Sequence, residues 1–344
     1  MSTRPVRVVI YGCGNMARVI TGYLVDKSAE IVGAIDTDPA LVGRDLGEVS
    51  GLAEPLGVTI SDNAEGVLDA TMPDVVVLTL LSLMTDMEPF FEDCASRGIN
   101  AVSTCEEAFF PWNTSPEITA RLDELARRND CTLLGTGYQD VFWGSLVTAT
   151  AGATHRIDSI RGYSTYNVDD YGIALAQVHG VGLDLATFDE EIRAAALPSF
   201  ALNVPPWLAG ALGLEISSMT QELEPIFSSG PISSATIGRD IPAGEVIGML
   251  ARATAETVQG PTLVMEVVGK VYGPRDVDHN DWIIEGEPRT ELVVTEPKTV
   301  ELTCATTVNR IPQVIDAPAG FVTGDQLGPV AYLPGPLTTT LGVD

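Results

Sequence analysis

The sequence predicts an α/β fold: a Rossmann doubly wound parallel sheet followed by a second α+β domain with an open, mostly antiparallel sheet. Three observations carry this. Short β-branched runs alternate with amphipathic segments through the first 135 residues. The first run ends in a glycine turn that opens a helix, VVIYGCGNMA at residues 8–17. Beyond about residue 150 the runs lengthen and partly alternate in polarity.

Taken in order, Val6–Tyr11, Glu30–Ile35, Val75–Leu80, Ala101–Ser103 and Thr132–Leu134 read as strands. Continuous apolar strands with helical spacers such as Met16–Val25 and Pro116–Arg128 describe a parallel sheet covered on both faces. Pro116, directly after Ser115, marks a first helical turn. In the second part, His155–Tyr166, Thr262–Tyr272 and Thr290–Thr295 read as longer strands. Phe188–Ala196 and Glu245–Val258 read as helices, with Pro/Gly-rich connections at Val204–Pro206 and Ser228–Pro231. Cys304–Asp316 is helical in pattern and Ala317–Pro336 is irregular and proline-rich. The implied organisation is a nucleotide-binding domain over 1–150, a substrate and dimerisation domain over 151–303, and a tail over 304–344 that returns to the first domain. An open antiparallel sheet often pairs across a two-fold axis, so a homodimer is expected.

Composition narrows the function. With 47 acidic against 19 basic residues and a net charge of −28, the chain repels phosphate backbones, which argues against nucleic acid as a partner. The acidity itself reads as solubility or adaptation to salt. No stretch approaches ~20 apolar residues, so no membrane span is expected. The N-terminus leads straight into a strand and shows no signal-peptide pattern. Five scattered cysteines without CxxC spacing fit reduced thiols and a cytoplasmic location. His155, His179 and His279 are too dispersed for a metal site, and the acidic run Asp276–Asp281 reads as a turn.

Gly12, Gly14 and Ala17 satisfy G-x-G-x-x-A, the turn that binds a dinucleotide pyrophosphate. Gly12 permits the tight turn, Gly14 admits the phosphates, and Ala17 lets helix and strand pack closely. Backbone N–H groups at Asn15 and Met16 point at the phosphates along the helix dipole. Asp36 follows 24 residues after Gly12, placed to accept from both ribose hydroxyls of NAD. Arg44 instead suits the 2′-phosphate of NADP, or is simply a solvated loop charge. The cofactor is therefore NADP or NAD. Thr79 and Leu80, in the LTLLS segment, lie on the loop expected against the ribose and nicotinamide.

The fifth strand ends in STCEEAFFPW, where sugar dehydrogenases place a catalytic lysine. Only Lys27, Lys270 and Lys298 occur in the chain, none of them near that strand. A carboxylate there suits different chemistry: it holds an ammonium, takes its proton and stabilises an iminium as hydride arrives. Glu106 or Glu107 does this, or else the pair caps the following helix or meets an arginine. Tyr138, Phe142 and Trp143 crowd the connection between the domains, and YSTYNVDDYG adds Tyr163, Tyr166, Asn167 and Tyr171. Aromatics are only 6% of the chain, so this density describes either an apolar substrate pocket or ordinary core packing.

Together, GCGNMA, DTDPALVGRDLG, STCEEAFFPW, GTGYQDVFW and TVNRIPQVIDAPAGFVT resemble the 2,4-diaminopentanoate dehydrogenase-like family, and within it the native amine dehydrogenases. The likeness runs over nearly the whole chain, with an N-terminal domain similar to that of dihydrodipicolinate reductase. It implies NAD(P)H-dependent reductive amination of small apolar ketones or aldehydes with ammonia, and the reverse oxidative deamination. It places the catalytic glutamate on Glu106, with Glu107 as the fallback. Tyr138, Phe142, Trp143, Tyr166 and Tyr171 become the substrate residues, and the resemblance adds a homodimer formed through the second sheet. A diamino-acid dehydrogenase remains the alternative enzyme, with Arg161 a partner for the substrate carboxylate. A nucleotide-sensing dimer without turnover is the alternative of another class.

Overall fold

Residues 3–340 are described by the computed structural model. They form two units, one running to Ser145 and resuming at Lys298, the other Leu146–Pro297. Residues 1–2 and the last four of the tail, 341–344, lie outside the described residues. The strands of the two large sheets are, in chain order, β1 (Arg7–Tyr11), β2 (Glu30–Ile35), β3 (Ile60–Ser61), β4 (Val75–Leu78), β5 (Asn100–Ser103) and β6 (Thr132–Gly135). The second unit contributes β7 (Arg156–Asn167), β8 (Ile216–Phe227), β9 (Val246–Thr257), β10 (Thr262–Lys270), β11 (His279–Glu287) and β12 (Thr290–Thr295), and β13 (Gly320–Val322) follows. The helices used below are α1 (Asn15–Asp26), α2 (Met84–Ala95), α3 (Pro116–Arg128) and α4 (Thr299–Asp316).

The first unit is a seven-stranded sheet in the order β13-β6-β5-β4-β1-β2-β3, with every pairing parallel. Its strands read as unbroken apolar runs because both faces are covered. Val8, Ile10, Val75, Val77 and Leu134 pack on one side with Ala17, Ile20 and Leu24 of α1 and Val308, Ile311 and Val314 of α4. Their neighbours Val9, Tyr11, Val76, Leu78 and Leu133 pack on the other with Met87 and Phe91 of α2 and Leu122 of α3. This period-2 division is what a strand imposes. The order reverses between β1 and β4, so the loops leaving their carboxyl ends diverge and open a crevice, the usual ligand site of such sheets.

The second unit is a six-stranded sheet, β12-β11-β7-β10-β9-β8. Four of its five pairings are antiparallel and β7–β10 is parallel. Here the sequence reading needs correction. Glu245–Val258 is not helical but is strand β9, with Met249, Ala251, Ala253 and Ala255 buried and the residues between them more open. Its alanines and glutamates favour helix, yet its polarity alternates with period 2, and pairing along both edges decides. Strands β8 and β11 were not anticipated, and β11 begins inside the acidic run expected to be a turn. Phe188–Ala196 is divided between a short α-helix, Leu185–Phe188, and a π-helical turn, Asp189–Arg193. Ala317–Pro336 is not wholly irregular, since it holds β13 and the short helix Gly324–Leu327.

Candidate active site

The glycine turn sits at the reversal of strand order. Gly12 leaves β1 at φ +91°, and a Cβ there would lie 2.6 Å from the Thr79 carbonyl oxygen, so no other residue fits. The Gly12 N–H donates to the Ile35 carbonyl at 2.8 Å, and the Thr79 hydroxyl donates to the Gly12 carbonyl at 2.7 Å. The ends of β1, β2 and β4 are thereby laced together. Gly14 is the N-cap of α1 and offers no side-chain cap. A Cβ at Gly14 would meet nothing within 4 Å, so open space lies before the uncapped amides of the first turn, at Asn15 and Met16. Ala17 is buried beneath them against the sheet. The Asp36 carboxylate accepts from the Cys13 N–H at 2.6 Å and the Asp38 N–H at 2.8 Å, which holds it beside the turn. Leu80 borders Gly12, and Arg44 is exposed on the segment beyond Asp36. An uncapped helix start, open space and a carboxylate at the end of β2 fit a dinucleotide.

At the end of β5 the two glutamates have different surroundings. Glu107 is buried, and its carboxylate accepts from the Met84 N–H at 2.7 Å, the Thr114 hydroxyl at 2.7 Å and the Ser115 hydroxyl at 2.6 Å. It caps the start of α2 from a distance and ties down the loop before α3, a favourable place for a negative charge. Its backbone N–H donates to the Ser82 carbonyl at 3.1 Å. Glu106 is half-buried, and burial pushes its carboxyl above the ordinary glutamate value while a contact with the Ser82 hydroxyl works against the rise. A carboxyl raised in this way is better matched to taking up and returning a proton than an ordinary glutamate. The neighbouring Cys105 thiol is pushed up by burial and is poorly placed to act as a nucleophile.

The aromatic residues fall into two groups. In the first unit Tyr138 stacks on Phe142 at 4.6 Å and meets Trp143 edge-on at 6.4 Å. Phe142 and Trp143 ride on a π-helical stretch, Asp140–Ser145, a geometry frequent at functional sites. In the second unit Tyr166 meets Tyr171 edge-on at 5.4 Å, and Tyr171 is exposed.

Sequence reasoning missed two anchors. Asp140 and Arg310 are both 0% exposed and form a two-point ion pair, each contact 2.8 Å. The Thr136 hydroxyl also donates to Asp140, at 2.7 Å. The Tyr138 N–H donates to the Thr303 hydroxyl at 3.1 Å, so α4 holds the aromatic segment at two points. The available signal was a lone arginine among the core residues Val308, Ile311 and Val314. The second anchor is His179, which bonds to Tyr166. Among the described residues no cluster of three or more metal-ligating side chains occurs, and no helix is long and apolar enough to cross a membrane.

Comparison with known proteins gives a consistent set of relatives. Residues 142–335 match the model of the 2,4-diaminopentanoate dehydrogenase C-terminal domain. The structure of an amine dehydrogenase from Mycobacterium smegmatis is similar at 44% identity and a TM-score of 0.90, over 96% of this chain and 98% of that one. A 2,4-diaminopentanoate dehydrogenase from Acetoanaerobium sticklandii is 25% identical over 332 residues, 92% of each chain. An amine dehydrogenase from Streptomyces virginiae is 25% identical over 84% of each chain.

Proposed function

The chain belongs to the 2,4-diaminopentanoate dehydrogenase family, and from that premise we propose that it is an NAD(P)-dependent amine dehydrogenase. The reaction is oxidative deamination of small apolar amines and, in reverse, reductive amination of ketones or aldehydes with ammonia. The observation that carries this reading is Glu106, a half-buried carboxyl with a raised pKa at the end of β5, next to a Glu107 whose carboxylate is already engaged.

Gly12, Gly14, Asn15, Met16, Ala17, Asp36, Thr79 and Leu80 hold the cofactor in this reading, with Arg44 at its margin. A bound nicotinamide supplies or accepts the hydride. In deamination the Glu106 carboxylate takes a proton from the substrate ammonium, which frees the nitrogen lone pair as the carbon is oxidised to the iminium. Water then adds to the iminium carbon; one of its protons passes to the nitrogen and the other is released to solvent as the carbonyl forms, and ammonia leaves as ammonium with the proton returned from Glu106. The family resemblance assigns substrate binding to Tyr138, Phe142 and Trp143 of the first unit and, separately, to Tyr166 and Tyr171 of the second.

Simple amines are favoured over diamino acids by the position of Arg161. It is exposed on β7 and shares a sheet face with Tyr163, whereas Tyr166 has the opposite parity and faces the other side. It therefore offers no carboxylate partner beside Tyr166. The deciding assay follows NAD(P)H formation with cyclohexylamine, other alkyl amines and 2,4-diaminopentanoate at saturating cofactor. The expected result is turnover of alkyl amines at least equal to that of the diamino acid. A large preference for 2,4-diaminopentanoate would make the chain a diamino-acid dehydrogenase. Tight cofactor binding with no amine oxidised would make it a nucleotide sensor.

The outward face of the second sheet exposes Tyr163 and Val293, and a second copy of the chain is the occupant this reading assigns to it. Light scattering should give twice the chain mass, and Val293→Glu should lower it to one chain. A monomeric wild type would rule the dimer out. All five thiols are free and buried, which supports a cytoplasmic location.

A further inference from the structure

Behind Tyr166 stands a histidine that the proposed chemistry does not use. The Tyr166 hydroxyl lies 2.7 Å from His179 Nε2. The other ring nitrogen, Nδ1, lies 2.8 Å from the Leu175 carbonyl oxygen. A carbonyl oxygen only accepts, so Nδ1 carries the ring hydrogen. The ring is 6% exposed, and burial pulls its pKa down to about 4, so it is neutral at working pH. A neutral imidazole has one N–H, which leaves Nε2 as a bare acceptor. The hydrogen in the Tyr166–His179 contact therefore belongs to Tyr166.

Packing fixes this arrangement. Gly269 of β10 pairs in register with Tyr166. A Cβ at Gly269 would lie 2.5 Å from His179 Nε2 and 2.8 Å from Tyr166 Cζ. The two rings meet edge-on, with centroids 5.7 Å apart. Asp169, just beyond Tyr166, accepts from the Ser234 hydroxyl at 2.6 Å and the Ala235 N–H at 3.0 Å, which pins the following turn to the hairpin Ile232–Ile241.

We infer that His179 is a positioning residue that takes up the single hydrogen of Tyr166, so that the phenolic oxygen meets the substrate only as an acceptor. This rests on the reading of Tyr166 as a substrate residue. An acceptor-only oxygen binds the N–H of an ammonium, a carbinolamine or an iminium. It has nothing to offer a ketone oxygen, which a freely rotating tyrosine hydroxyl would bind. The pair thus selects the nitrogen-bearing form of the substrate over its carbonyl form.

The test compares wild type, His179→Leu, His179→Gln, Tyr166→Phe and the Tyr166→Phe/His179→Leu double variant. For each, the KM for an alkyl amine, inhibition by the matching ketone and the cofactor Kd are measured. Losing the oriented acceptor is expected to raise the amine KM about 10-fold in His179→Leu. Ketone inhibition should tighten, because the freed hydroxyl can donate, and the cofactor Kd should not move. Glutamine can still accept the phenolic hydrogen, so His179→Gln should recover part of the loss and serves if the leucine variant does not fold. In the Tyr166→Phe background, His179→Leu should add nothing. Equal changes in amine and ketone affinity, or losses that multiply in the double variant, would overturn the inference while leaving the enzymatic reading intact. A wild type inert to every amine would overturn both.

Discussion

Glu106→Gln is expected to lower turnover of amines by about 10²- to 10⁴-fold, the usual worth of a positioned acid/base group. Glutamine keeps the shape of the side chain but can neither take the ammonium proton nor balance an iminium. Cofactor binding should survive, since the turn at Gly12 and the carboxylate of Asp36 are untouched. Glu107→Gln should behave differently, because the Glu107 carboxylate holds Met84, Thr114 and Ser115 and its loss loosens the start of α2. Steady-state kinetics with cofactor titration separates the two. A Glu106→Gln enzyme with near-normal kcat would end the proposed mechanism.

The same substitution should stabilise the protein, and pH gives the signature. Burial raises the Glu106 pKa in the fold above that of the unfolded chain. Between those two values the folded state keeps a proton that the unfolded state has released. Stability therefore falls as pH rises through that window, and the deficit is complete above the folded pKa. Below both values the acid is neutral in either state and contributes no deficit. Glu106→Gln removes the deficit, so a gain in stability is expected at pH 7 and little at acid pH. Denaturant unfolding at the two pH values reads this directly. By the same shift, the acid limb of the deamination profile should lie above the ordinary carboxylate range, since the reaction needs the ionised form.

How much of this was legible in the chain depends on how local the cause is. The parallel sheet was legible because strands such as Val75–Leu78 are buried on both faces and read as unbroken apolar runs. The glycine turn was legible because strand, turn and helix are contiguous. β9 was misread because its alanines, glutamate and methionine favour helix, and only pairing with β8 and β10 makes it a strand. β13 is three residues long in a proline-rich tail, and it exists because β6 leaves a free parallel edge. Glu106 and Glu107 were indistinguishable by position. What separates them is the direction of the Met84, Thr114 and Ser115 donors, two of which follow the pair and one of which precedes it by more than a helix. The Asp140–Arg310 pair spans 170 residues and had no local pattern at all.

That pair should be the most costly to break. Both side chains are 0% exposed, and both have given up their water. Arg310 also donates to Gln313 at 2.7 Å and to the Gly328 carbonyl at 2.8 Å, so its guanidinium is satisfied on several sides. A Cβ at Gly324 would lie 2.4 Å from Asp140 Oδ1, so the carboxylate packs directly on Gly324 where no side chain would fit. Removing one partner strands the other charge in a dry site, so Asp140→Leu or Arg310→Met should each cost ~3–5 kcal/mol. Replacing both with apolar side chains strands no charge and leaves only the neutral partners Thr136, Gln313 and the Gly328 carbonyl to be satisfied elsewhere, so the double variant should be clearly more stable than the sum of the singles. Asp140 also opens the π-helical stretch that carries Phe142 and Trp143. A double variant that folds should therefore lose amine affinity while keeping its cofactor Kd. Urea unfolding with unchanged slopes, run as a double-mutant cycle, measures the coupling. Strictly additive losses would mean that the two charges do not depend on each other, and that the aromatic segment is held by the Thr303 bond and packing alone.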